Sequence, residues 1–567
     1  MLGIFRRILY ERIHSLSMLM GSNKHYVISV LLTVFVAACG GSEGSSSDGG
    51  TSIAINPSQA VTISGTLTYD LVPQTNQGPL DYDSMTQEPI RGATVRLLDN
   101  ADSIIMETVS SADGEYSLTG QENTDYRVQV LAELSRSGQP SWNIRVTDNT
   151  QNLAIYALEG ALVNSGNVDS RRDLHAESGW SGTSYTSTRA AGPFAILDST
   201  YEALQVVLEA DASIELAPVE LRWSILNQPA AGELDEGNIS TSFFSPARGS
   251  IYILGAEDQD TDEYDRSIVQ HEFMHYLEDA ISRSDSPGGS HSLNQGLDIR
   301  VAYSEALGNA FTAFVDGTGV YSDSLGARQA FGLGFSLETT DDRLIPGWFN
   351  EGTVGYVIYD IADAQADDGD ALALGFSPIL QAMKSPTFID SDAFTSLYLL
   401  REEIARNLNE SDSQALTNLM ESQQIFGEDL YGTNEINTGG FFASLPIYET
   451  VELGTDVVVC TANAFGEFNT FDNRRFVRFT LQGDTTVNIS ISSVPIVDAI
   501  AETQTIARLF SQGDEVAFYV GNNSGLIDEN ERLPSGTYVL ELLDLQNIDS
   551  SNSTGGLACF QVTLSEQ

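Results

Sequence analysis

His271-Glu272-Phe273-Met274-His275 is the group of residues best equipped for chemistry. Four positions are about one helical turn, so His271 and His275 share a helix face and can bind one metal ion. Glu272 lies beside them, where a carboxylate can take a proton from water activated by that metal. Only six histidines occur in 567 residues, so two at this spacing around a glutamate is rare by composition. The flanking pattern predicts a buried helix, with Asp265 as its cap and Ile268, Val269, Phe273, Met274 and Leu277 as its apolar contacts. Burying two imidazoles and a carboxylate requires partners for all three, and a metal ion supplies one.

A third ligand must come from elsewhere. A metzincin arrangement needs a glycine three residues after His275 and a histidine three beyond that. Glu278 and Ile281 stand there instead. The other common arrangement takes a glutamate from a second helix. Tyr303-Ser304-Glu305-Ala306-Leu307-Gly308-Asn309-Ala310-Phe311 fits it, with small residues that allow close packing. Glu305 is the expected ligand and His291 its rival. Asn309, one turn later, and Asp279, one turn past His275, are placed to accept the spare N–H of a metal-bound imidazole.

These residues resemble the gluzincins, the thermolysin-like clan of zinc peptidases with two histidines and a distal glutamate. The resemblance spans roughly residues 190–450. It departs where Asn309 replaces the aspartate of the thermolysin pattern. The resemblance implies a zinc ion held by His271, His275 and Glu305, with Glu272 as general base and acid in peptide hydrolysis. It also implies a Tyr or His that hydrogen-bonds the developing oxyanion. Tyr356, on a helix expected over 350–361, is the first candidate, with His291 and Tyr359 behind it. In the same resemblance, a strand edge ahead of the zinc helix receives the substrate backbone.

The N-terminus predicts location. A short apolar run, Tyr26 to Ala38, ends in Val36-Ala37-Ala38-Cys39-Gly40, which resembles the bacterial lipobox with Cys39 as the lipidated residue. A Gly/Ser-rich tether follows. The implied setting is the cell envelope, as an outer-membrane lipoprotein attached to the membrane at Cys39. That leaves Cys460 and Cys559 as an even pair, expected to form a disulfide.

The net charge of −52, with lysine only at Lys24 and Lys384, excludes a nucleic-acid partner. Protein or peptide substrates remain. Calcium is a second ion the chain could take: the run Glu257 to Asp265 alternates acids, although it lacks the glycine and distal glutamate of an EF-hand loop. A solvated acidic turn is the favoured reading of that run. A second acidic run, Asp360, Asp363, Asp367, Asp368 and Asp370, carries the same ambiguity.

The elements that position these residues predict a multidomain chain. An α+β zincin-like catalytic domain, two-lobed around its active-site helix, is flanked by two all-β sandwich domains. The expected divisions are a lipoprotein signal peptide (1–39), a flexible tether (40–58), a β-sandwich (59–160), a linker (161–192), the metallopeptidase domain (193–450) and a C-terminal β-sandwich (451–567). Ile90 to Val95 with Asp113-Gly114-Glu115-Tyr116 resembles carboxypeptidase-regulatory-like sandwiches. Leu533-Pro534-Ser535-Gly536-Thr537-Tyr538 is similar to a turn of pre-peptidase C-terminal domains. The leading function is zinc-dependent peptide hydrolysis. The alternative is a surface binding or adhesion lipoprotein that keeps a metalloprotease fold without turnover.

Overall fold

The computed structural model describes residues 59–75, 77–339, 344–363, 371–495, 503–522, 524–548 and 555–567. The signal peptide, Cys39 and the tether lie outside the described residues, as do Asp367, Asp368 and Asp370. Among the described residues, no helix is long and apolar enough to cross a membrane.

The first half of the chain is built on strands with clean alternation. β1 (Ala60–Leu71) alternates buried and half-buried positions along its length, as a strand with one face on a core must. β2 (Ala93–Leu98), β3 (Ile104–Val109), β4 (Glu115–Gln121), β5 (Asp125–Arg136) and β6 (Trp142–Asp148) follow. After α1 (Gly192–Ala210) come β7 (Val219–Trp223), β8 (Phe243–Ser245) and β9 (Ser250–Ile253). β1 pairs with β4, whereas the others run as one sheet in the order β8-β9-β7-β6-β5-β2-β3. β6 and β7 are parallel neighbours, with Val219 opposite Ile144. The sheet therefore crosses the division expected at 160–193, and one apolar core serves both sides of it. The expected linker, 161–192, is partly a strap along the first strands: Leu174–Ala176 runs parallel to β1 and Val163–Asn164 pairs with β5. His175 is held there by Asp70 (3.0 Å) and Thr68 (2.8 Å).

Helices supply the next layer. α2 (Arg266–Ile281) carries the His-Glu-x-x-His residues, α3 (Ile299–Asp316) carries Glu305, and α4 (Glu351–Ala362) packs against α3. Asp298 caps α3 by accepting from Arg300 N, Gly317 ends it in a left-handed turn, and Asn350 caps α4 by accepting from Thr353 N. Asp265 stands at the head of α2 but does not cap it. Its buried carboxylate turns away to accept from Ser324 N and Oγ, on a hairpin of β10 (Val320–Leu325) and β11 (Phe331–Ser336). All twelve residues of α4 are buried. Further helices follow at Phe376–Met383, Leu397–Ala405 and Glu410–Ser422.

The C-terminal region is a two-sheet β-structure. Its strands are β12 (Asp456–Thr461), β13 (Arg474–Leu481), β14 (Thr485–Ser493), β15 (Thr505–Ser511), β16 (Asp514–Val520), β17 (Ile527–Leu533), β18 (Gly536–Asp544) and β19 (Ala558–Glu566). One sheet runs Tyr448–Thr450, β13, β18, β15, β16, and the other runs β12, β19, β14, β17. Val477, Ile489, Leu509, Leu540 and Val562 share a core of their own. Cys460 and Cys559 face each other across β12 and β19 and form the disulfide.

A buried ionic cluster joins this region to α3. Glu541 of β18 is wholly buried and receives Arg300 of α3 (3.1 Å) and Arg474 (2.9 Å), and Arg300 also pairs with Asp298 (2.9 Å). Burial works to raise the Glu541 carboxyl, but Arg300, Arg508 and Arg474 outweigh it and hold it at about 2. The sign follows: its stabilisation is complete above about pH 4.5 and is lost as pH falls through about 2. Glu541→Gln is expected to cost about 3–5 kcal/mol near neutrality. Denaturant titrations of both proteins at pH 7 and pH 3 check this, with the gap narrowing at pH 3.

Candidate metal centre

α2 and α3 cross closely because α3 presents small residues to α2. Gly308 is the tightest point: a Cβ there would lie 2.7 Å from His271 Nδ1 and 2.8 Å from its Cε1. The imidazole therefore rests on the α3 backbone, and Asn309 Oδ1 lies 3.0 Å from His271 Nδ1. With Nδ1–H donated to Asn309, Nε2 carries a free lone pair. It lies 3.0 Å from His275 Nε2 and 3.2 Å from Glu305 Oε2, and His275 Nε2 lies 3.4 Å from the same oxygen.

These separations fit a metal ion. Two donors each about 2.0–2.1 Å from a tetrahedral zinc stand roughly 3.3 Å apart. Two imidazoles and one carboxylate are also the mixed nitrogen–oxygen donor set that zinc takes at centres with a position left open. His271 and Glu305 are buried and His275 is half-buried, so an ion would join groups already withdrawn from most of the solvent.

The groups around the ligands differ in part from expectation. Asp279 is exposed and is not among the residues that contact the imidazoles. At His275 its place is taken by buried Glu278, whose Oε2 lies 3.7 Å from His275 Nδ1, and by Ser304, whose Oγ lies 3.3 Å from it and donates to Glu278. Three residues along a helix turn the side chain through about 300°, and four through about 400°. The two therefore flank the direction of His275, Glu278 on the side packed against α3, where it meets Ser304, and Asp279 on the exposed side.

Glu272 lies on the same turn, and its Oε2 accepts from the backbone N–H of Phe244 (2.6 Å). Phe244 belongs to β8, the edge strand of the long sheet. Burial raises the Glu272 carboxyl above its ordinary range, opposed by His271 and His275. Burial also works to raise Glu305, but His291 and His275 outweigh it and hold that carboxyl well below the usual range.

His291 joins the cluster. Its Nε2 lies 3.3 Å from Glu305 Oε2, and its Nδ1 lies 2.8 Å from Glu351 Oε2 at the start of α4. The loop that carries it is fastened by Asn469 of the C-terminal region, whose Nδ2 donates to Gly288 O and Ser290 O. Tyr356 is buried within α4, and Tyr359 donates to Glu338 (2.6 Å). The tyrosine seen against the ligands is Tyr321 of β10, its ring 6.0 Å from that of His271 and stacked on Phe335. Sequence reasoning missed Tyr321. The alternation of Val320-Tyr321-Ser322-Asp323-Ser324-Leu325 was the signal available for its strand.

No protein-family model matches this chain, and no curated protein matches it. Among solved structures, it is similar in part to the pre-peptidase C-terminal domain of a collagenase from Bacillus anthracis. The identity there is 14% over 21% of this chain and 94% of that one, with a TM-score of 0.16. It is also similar to PliG, a periplasmic inhibitor of g-type lysozyme from Aeromonas hydrophila, with 12% identity over 21% and 97% of the two chains and a TM-score of 0.14.

Gly308→Ala is expected to displace the His271 ring, and Asn309→Ala to free its tautomer. Each should weaken zinc binding about 10–100-fold, measured by competition with a chromogenic chelator. Unchanged affinity in both variants would separate these residues from the metal.

Proposed function

We propose that this chain is a zinc-dependent peptidase of gluzincin type, carried in the cell envelope on a lipid anchor at Cys39. The observation that carries the reading is the convergence of His271 Nε2, His275 Nε2 and Glu305 Oε2 beside a glutamate tied to a sheet edge. Bound there, zinc supplies Lewis-acid polarisation of a peptide carbonyl and of water.

The chain's own groups do the rest. Glu272 takes the proton from the attacking water and passes it to the leaving amine. Phe244 N–H holds Oε2 of that carboxylate, which leaves Oε1 for the proton. The edge strand β8 offers backbone groups along which an extended peptide can pair, with its scissile bond led toward Glu272. The oxyanion role expected of Tyr356 passes in this reading to His291. Its Nδ1 is anchored by Glu351, and its Nε2 faces the ligands. A preorganised N–H there would stabilise charge as it develops.

The decisive experiment measures zinc content and casein cleavage of the full chain and of Glu272→Gln. One zinc per chain in both, with cleavage lost in the variant, supports the peptidase. One zinc without cleavage in either protein favours the binding lipoprotein, and absence of zinc sinks both.

The oxyanion assignment has a separate test. His291→Ala is expected to lower kcat about 10²–10³-fold with zinc content kept and KM little changed, while Tyr356→Phe should stay near the parent. The reverse pattern would restore Tyr356 to the role.

A further inference from the structure

Nine residues ahead of His271, the acidic run expected to be a solvated turn is folded inward. Asp262, Glu263 and Asp265 are all at least 97% buried. Glu263 has a cation, since Arg189 is ion-paired to it. The others face one another. The charges acting on Asp262 are Asp260, Asp265 and Asp323, and those acting on Asp265 include Asp323 and Asp260. Carboxylate oxygens of Asp260, Asp262 and Asp323 all lie within 4.8 Å of one another. Asp323 comes from β10, about sixty residues along the chain, so the grouping is tertiary.

A second feature points to a ligand. Gln329 is 1% exposed, and its Nε2 donates to Ser324 O (3.1 Å) and Ser324 Oγ (3.0 Å). The same amide comes within hydrogen-bonding reach of the Asp260 carboxylate, to which it can only donate. The buried Oδ1 of Asp262 has no such donor: it receives no hydrogen bond, whereas its other oxygen accepts from Ser242 Oγ. A carboxylate oxygen without a donor, closed in among other carboxylates, is a costly arrangement to bury. The backbone is also committed to it: Arg328 and Gln329 adopt positive φ (57° and 48°), and Asp258 accepts from Arg328 N. Non-glycine residues in that region carry strain that some other interaction must offset.

All the converging atoms are hard oxygens. Zinc would favour nitrogen or sulfur, and magnesium keeps several of its waters, which a buried cage of side chains accommodates poorly. We propose that Asp260, Asp262 and Asp323 bind one Ca²⁺ ion that pins the β10–β11 hairpin to the head of the His271 helix. Asp265 adds negative charge from behind, held by Ser324. The ion neutralises a group of buried like charges and completes the donor-poor oxygens. Its structural effect falls on Tyr321, which lies two residues from Asp323 and against His271. The site shares no ligand with the His271, His275, Glu305 centre, so it stands whether or not the chain is a peptidase.

The test uses the full chain, stripped with a chelator and resupplied with zinc alone. Equilibrium dialysis with ⁴⁵Ca²⁺ should find one calcium per chain. Millimolar Ca²⁺ should raise Tm by about 5 °C, and the same concentration of Mg²⁺ should do much less. Asp262→Asn combined with Asp323→Asn should abolish both calcium binding and the calcium-dependent shift. Its calcium-free Tm should equal or exceed that of the parent, because repulsion has been removed, which also shows that it folds. His271→Ala should lose zinc and keep calcium. Absence of calcium binding at millimolar concentration, an equal response to Mg²⁺, or undiminished binding in the double variant would each overturn the proposal.

Discussion

The seating of the His271 ring on the α3 backbone at Gly308 is the contact on which the candidate centre depends. No side chain stands between ring and helix there, so the two helices approach closely enough for Glu305 to reach both imidazoles. The same closeness withdraws the groups from water, and each must then find its partner among the others. Asn309 takes one face of His271, Ser304 and Glu278 attend His275, and Phe244 N–H holds Glu272. Buried polar networks of this kind are costly when incomplete and rigid when satisfied.

α3 also carries load at its other end. Asp298 and Arg300 enter the buried cluster around Glu541, and Asn469 fastens the loop bearing His291. The C-terminal sheets thus brace α3 and the loop of His291, as the long N-terminal sheet braces Glu272. That sheet contributes its edge strand β8 to Glu272. Three regions expected to be separate modules converge on two helices, because each supplies a partner that the helices lack.

Two populations of buried carboxylates lie close together along this part of the chain. Around His271, each acid faces an imidazole or an N–H, and the charges compensate within the protein. Around Asp262, the acids face one another, and one of its oxygens has no donor. The contrast lies in the partners rather than the residue type, since both groups arise from an unusually acidic sequence. Coulomb energy between like charges grows as water is excluded, so a buried acidic cluster must be neutralised, by protons or by a cation, in a way that an exposed one need not be.

What the sequence by itself determined was what local periodicity can carry. His271, Glu272 and His275 share a face because of the helical repeat, and Glu305 with Asn309 could be read from the same rule on a second helix. The pairing of Cys460 with Cys559 followed from there being only one other cysteine. Tertiary structure decided the rest. Asp265 had the position of a helix cap, yet a buried partner on a distant hairpin outbid the local backbone. Asp279 had the sequence spacing of a supporting residue, and the actual facing of α2 against α3 gave that place to Glu278. β6 and β7 lie about seventy residues apart and became parallel neighbours, which no local pattern announces. The acids at 257–265 looked solvated because acids usually are, and only the folded chain shows which of them are closed in and what they face. A residue's neighbours along the chain set its direction on a helix or strand, whereas its partners across the fold depend on packing and charge compensation among all the elements together.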